Sequence, residues 1–142
     1  MGVITLCDGH QEWRENGRLH RLDGAARIWA NGHQEWWVNG ERHRLDGAAV
    51  IYASGSQEWW ENGLPHRLDG AARICPDGHQ EWWVNGERHR LDGPARSWAD
   101  GSQEWYIRGN NITQQVTSWM NQTNITWPWD QETQVEFVLK WL

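Results

Sequence analysis

A 23-residue unit repeats along this chain with no residue inserted or deleted between copies, and that limits its fold more than any other feature. Four full copies occupy residues 8–30, 31–53, 54–76 and 77–99; a fifth starts at Asp100 and dissolves after Gly109. The second copy reads NGHQEWWVNGERHRLDGAAVIYA and the fourth DGHQEWWVNGERHRLDGPARSWA. Equal length means one geometry per copy, so the copies stack in register and each leans on its neighbours.

Every copy carries its own punctuation. Asn-Gly stands at Asn16-Gly17, Asn39-Gly40, Asn62-Gly63 and Asn85-Gly86, a dipeptide that accepts the two positive-φ positions of a tight hairpin. A second turn falls at each copy boundary, as at Asn31-Gly32 and Asp77-Gly78. Between the turns lie two stretches rich in Trp, Val and Ile, residues that favour the pleated state: 34–38 and 26–29 are examples. The third marker is Leu-Asp-Gly, at residues 22–24, 45–47, 68–70 and 91–93, followed in the fourth copy by Pro94. Proline removes a ladder donor, which makes this point a bulge or a bend rather than regular strand. The expected fold is mainly β: an antiparallel meander or solenoid of nine or ten strands built from hairpin repeats. A lead-in strand (1–7) precedes the repeats (8–109), and a small α or α+β cap (110–142) follows them.

In the cap, Gly and Arg give way to Thr, Gln and Asn. Ile112, Val116, Trp119 and Met120 share one helical face. Trp127-Pro128-Trp129 breaks the chain, and Asp130 is placed to cap a second helix. The last residues read equally as helix or as a strand alternating at Val135, Phe137, Leu139 and Trp141. Either way an apolar segment closes the open edge of the array.

Two tryptophan columns run through the copies. Trp13, Trp36, Trp59, Trp82 and Trp105 form the first, expected as the structural core with Arg or the cap against it. The second holds Arg14, then Trp37, Trp60, Trp83 and Tyr106. Adjacent strand residues point to opposite faces, so the columns lie on opposite sides of the sheet, with members about 9–10 Å apart along each. A sheet aromatic on both faces covers one of them by curvature, by its cap or with another molecule. Trp37, Trp60, Trp83 and Tyr106 are therefore the candidate binding residues, for a second copy, another protein or the faces of a glycan.

Each copy also has a Glu before the first Trp, and a His-Arg pair followed by Asp, as in His43, Arg44 and Asp46. Metal chemistry is not expected: the set repeats unchanged, and its Arg repels a cation. Glu–Arg ladders across strands and Asp caps on bend amides are expected instead. The boundary histidines His10, His33 and His79 alternate with Ser56 and Ser102, as an exposed, inert column would. Acid–base catalysis needs carboxylates in contrasting environments, whereas repetition makes them alike. The chain is read as no enzyme, with no cofactor and no phosphate-binding loop.

The pattern Trp-Trp-x-Asn-Gly-x-x-His-Arg-x-Asp-Gly-Pro-Ala, across residues 8–109, resembles variant MORN-type repeats, above all those of uncharacterised tailed-bacteriophage proteins. The Trp-Pro-Trp-Asp element is similar to one near the end of those proteins. Standard MORN repeats have Gly and Tyr where this chain has Trp, so the lipid binding proposed for that family does not carry over. A net charge of -6 argues against nucleic-acid and anionic-membrane partners. No run of residues is apolar enough to span a bilayer. Cys7 and Cys75 lie almost three repeats apart, too far for a disulfide in a stiff array, and are read as free thiols of a reducing compartment. Together these point to the cytoplasm, and with the phage resemblance to that of a bacterial host. The expected role is a protein-interaction or assembly module, self-associating as a dimer or binding another protein through a Trp-rich face. A carbohydrate-binding module using Trp37, Trp60 and Trp83 is the rival reading.

Overall fold

A computed structural model describes residues 2–6 and 8–142; the thiol reading of Cys7 falls outside them. Antiparallel strands follow one another in sequence order to form the main sheet. It opens with β1 (Gly2–Thr5) and β2 (Gln11–Glu15), paired Val3 to Trp13. Two-residue strands then continue it: Arg27–Ile28, Gln34–Glu35, Val50–Ile51, Gln57–Glu58, Arg73–Ile74, Gln80–Glu81, Arg96–Ser97 and Gln103–Glu104. The path is the meander of about ten strands that the repeat implied.

The stretch 34–38 is not one strand. It divides at Trp36, whose N–H donates to Ala49 O (2.7 Å) in the main sheet while its carbonyl accepts from His43 N (3.1 Å). The chain changes partner there, and Trp37–Val38 pairs with Glu41–Arg42 in a hairpin off the sheet. The same division recurs at Trp59 and Trp82, giving the hairpins Trp60–Glu61 with Leu64–Pro65 and Trp83–Val84 with Glu87–Arg88. Asn39, Asn62 and Asn85 take φ of 48 to 51°, as the turn chemistry required. Successive hairpins are stitched together by Gly63 N–H to Arg42 O (3.0 Å) and Gly86 N–H to Pro65 O (2.9 Å).

Alanine forms the buried spine of the repeats: Ala25, Ala26, Ala48, Ala49, Ala71, Ala72 and Ala95, with Val50. The spine's backbone is also satisfied, since Ala26 N–H donates to Glu35 O and its carbonyl accepts from Trp13 N–H (both 2.8 Å).

The cap is two helices, α1 (Thr113–Thr123) and α2 (Gln131–Trp141). Val116 and Trp119 are the buried positions of α1, on the face the spacing marked. Asp130 caps α2 by accepting from Thr133 N–H at 2.8 Å. The C-terminal residues are helical: Phe137 and Trp141, at i and i+4, turn inward, while Val135 and Leu139, which would share their face in a strand, are exposed. Trp105, Ile107, Val116, Trp119, Trp129 and Phe137 make one buried cluster, so the cap and the end of the array share a core.

Candidate functional site

The first tryptophan column is built into a fixed Arg–Trp unit. Trp13, Trp36, Trp59 and Trp82 are half-buried. Each carries a guanidinium on its ring: Arg21, Arg44, Arg67 and Arg90, 3.9–4.0 Å from the centroids. The Arg is locked in turn by the Asp two residues on and the carbonyl four residues on. Arg44 Nε donates to Asp46 Oδ1 (2.8 Å) and its Nη1 to Ala48 O (3.0 Å). The aspartates thus hold the arginine and do not cap bend amides. Hydrogen bonds from these arginines hold the carboxyls of Asp23, Asp46 and Asp69 below their ordinary range. The following glycine leaves the guanidinium room: a Cβ on Gly47 would lie 3.0 Å from the Arg44 guanidinium carbon, which would have to give way.

Between one Arg–Trp unit and the next lies a groove. Arg21 and Leu22 face Trp36 and Leu45 across a space of about 620 Å³. Arg44 and Leu45 face Trp59 and Leu68 across about 460 Å³. Arg67 and Leu68 face Trp82 and Leu91 across about 680 Å³. Leucines line the rims, with Leu22 and Leu45 76% and Leu68 80% exposed. The fourth place in the series is filled by the chain itself. Trp127 lies 5.5 Å from the Arg90 guanidinium, and Trp129 stacks on the buried Trp105 at 6.1 Å. Leu91 is partly buried against the cap core, and a Cβ on Gly93 would run into the Trp127 ring.

The second column is arranged differently. Trp37, Trp60, Trp83 and Tyr106 are half-buried, and none of them lines the grooves. Their polar edges are tied to the preceding Glu: Trp37 Nε1 to Glu35 (2.7 Å), Trp60 to Glu58 (3.0 Å), Trp83 to Glu81 (2.8 Å), and Tyr106 OH to Glu104 (2.9 Å). Arg42 sits between Trp37 and Trp60, 5.3 and 5.1 Å from their rings. Arg88 sits between Trp83 and Tyr106 at 4.7 and 5.4 Å.

The glutamates form the Glu–Arg ladder. Arg27 reaches Glu12 (3.3 Å) and Glu35 (3.7 Å), and Arg96 reaches Glu81 (3.4 Å) and Glu104 (3.7 Å). The boundary histidines, expected to be exposed, belong to this ladder. His10 is buried and stacks on Trp29 at 4.3 Å. His33 and His79 are half-buried and meet Glu35 and Glu81 at 3.0 and 2.8 Å. Aromatic neighbours at the boundary turns explain the burial: Trp29 and the next turn's Tyr52 flank His33, and the next turn's Trp98 lies against His79. Cys75 takes the same turn position and is a free, half-buried thiol.

The second histidine column joins the copies. His20, His43 and His66 each accept, at Nδ1, the N–H of the Asn in the next copy's turn, at 3.0 Å. His89 accepts from Arg108 N–H at the same distance. Burial, reinforced by the Arg108 charge, pushes His89 below its ordinary value of 6.5. The fold thus holds the neutral ring, and this stability is present above pH 6.5 and lost as pH falls through the lowered value. Burial raises Glu35 and Glu81, but the hydrogen bonds from His33, Trp37, His79 and Trp83 and the nearby guanidiniums outweigh it. Both end below 4.5, and their contribution disappears only in stronger acid. Urea unfolding at a series of pH values should show a midpoint that begins to fall below pH 6.5 and drops further below 4.5. A midpoint that stays level from pH 7.5 to 3 would contradict this account.

Among the described residues no His, Cys, Asp and Glu side chains gather as a metal site, and no helix is long and apolar enough to cross a membrane. No protein-family model matches the chain, and no curated protein is similar to it in sequence.

Proposed function

We propose that this chain is a non-enzymatic assembly module that binds a polypeptide, in the first instance a second copy of itself, through the grooves between its Arg–Trp units. One observation carries this reading. Where the array ends, the fourth groove is occupied by Trp127 and Trp129, and the fourth rim leucine, Leu91, is partly buried against the cap. The three preceding grooves have the same walls and stand open, with leucines 76–80% exposed. An aromatic or apolar segment of a partner fits them as the chain's own tail fits the fourth. Burying a rim leucine stabilises such a complex by about 1.5–3 kcal/mol. Three in a row give a stripe with the repeat's own spacing.

The non-enzymatic part of the proposal rests on sameness: each Arg–Trp–Asp unit repeats its neighbour, so no carboxylate or histidine is set apart for chemistry. The geometry favours the grooves over a glycan platform on the second column, because Arg42 and Arg88 already lie against those rings.

Light scattering behind a sizing column, on wild type and on a Leu45→Gln/Leu68→Gln double variant, tests the leading form. A wild-type mass that rises to a dimer with concentration, and a folded double variant that stays monomeric, are expected. A wild-type monomer at every concentration overturns self-association. A dimer that survives the double change is held elsewhere and overturns the groove reading.

A further inference from the structure

Between the successive aromatic rings of the second column, Trp37, Trp60, Trp83 and Tyr106, the arginine interleaving is interrupted at one place. Arg42 fills the gap between Trp37 and Trp60, and Arg88 fills the gap between Trp83 and Tyr106. In the third copy the equivalent residue is Pro65, which pairs with Trp60 across its hairpin. Proline does not reach across to the next ring. A pocket of about 130 Å³ is left, lined by Glu58, Trp60, Pro65, Arg73, Glu81 and Trp83.

The fourth copy shows what such a space holds. Shifted by one repeat, the lining becomes Glu81, Trp83, Arg88, Arg96, Glu104 and Tyr106. There the Arg88 guanidinium lies between two aromatic rings with Glu81 at 3.5 Å from its Nε. The neighbouring charges correspond as well. Arg73 reaches Glu58 (3.6 Å) and Glu81 (4.0 Å) just as Arg96 reaches Glu81 (3.4 Å) and Glu104 (3.7 Å). A guanidinium is therefore accommodated beside this second arginine in one copy, and the vacant copy presents the same carboxylates in the same order.

We infer that the pocket between Trp60 and Trp83 is a binding site for the guanidinium of an arginine side chain carried by a partner polypeptide. The flat cation lies between the two indoles and faces Glu58, in the manner of Arg42 facing Glu35 at 3.6 Å. An ammonium has no planar face to place between the rings and is discriminated against. The site shares no residue with the grooves and takes from the proposed function only that the partner is a polypeptide.

The test is a titration followed by the indole Nε1–H signals of the full chain, with N-acetyl-arginine methylamide as probe. The Trp60 and Trp83 signals report directly, since their N–H groups bond Glu58 and Glu81 beside the pocket. Saturable shifts confined to these two signals are expected. The capped lysine should bind at least tenfold more weakly. Pro65→Arg, which supplies the chain's own guanidinium, should weaken the probe at least tenfold. Glu58→Gln, which keeps the shape and removes the charge, should also weaken it, and serves where Pro65→Arg fails to fold. No shift, or equal shifts in these variants, overturns the site. Free arginine binding tighter than the capped form overturns the polypeptide as its source. The leucine variants of the light-scattering test leave this pocket untouched, so either proposal can fail without the other.

Discussion

Glu81→Ala should lower the stability of the chain by about 3 kcal/mol, the low end of the cost of breaking a buried ion pair, because the arginines left behind are 28% exposed. Glu81 is only 3% exposed. Its two oxygens accept from His79 and from the Trp83 indole, both at 2.8 Å. Arg88 and Arg96 approach within 3.5 and 3.4 Å, and their Nε atoms are buried with no aligned hydrogen bond of their own. Proximity to the carboxylate, not a directed bond, compensates those charges. Without it, Arg88 keeps no carboxylate and the Trp83 N–H loses its acceptor. Glu104→Ala is the internal control. Its side chain is 30% exposed at the end of the ladder, and its loss should cost under about 1 kcal/mol. Urea unfolding of both variants checks the difference. Equal costs would show that Glu81 is no hub.

Phe137→Ala should cost about 3–5 kcal/mol, by a different route, the cavity left by a fully buried aromatic. Phe137 has no exposed surface. Its ring lies 4.9 Å from both Trp129 and Trp141 and 6.5 Å from Trp119. Trp129 in turn stacks on Trp105 and meets Trp127, which lies by Arg90, so loosening α2 uncovers the sheet end and the last Arg–Trp unit. The loss should appear first in the cap. Amide exchange in α1 and α2 should accelerate before that of the alanine spine. Leu139→Ala, on the same helix but 82% exposed, should change stability by less than about 0.5 kcal/mol. If the two variants behave alike, the cap is not held on by its aromatic core.

The meander, the Asn-Gly hairpins and the Asp130 cap were legible because each depends on local chemistry that a single residue announces. The division of each long strand at Trp36, Trp59 and Trp82 was not. It depends on which neighbour accepts one backbone N–H, and side-chain alternation does not encode that. Large aromatics drew attention as core, while the fully buried line is Ala26, Ala49 and Ala95. The signal was present in the small pair after every Leu-Asp-Gly, which carries no hydrophobic weight. The grooves were hidden for a related reason. Spacing places Arg44 and Trp36 in one copy, but the stack between them exists only because Asp46 and a carbonyl hold the guanidinium down. The Pro65 departure was visible in the sequence, and its meaning required knowing that Arg42 and Arg88 fill the same place in other copies.

The absence of insertions between copies also makes valency a discrete variable. Each added copy lengthens the sheet by two strands, about 10 Å, and brings one more groove with its rim leucine. A partner engaging one groove weakly gains at the next through effective concentration, without any new kind of contact. Affinity in such an array is tuned by counting copies, and the cap at Trp127 and Trp129 sets where the count stops.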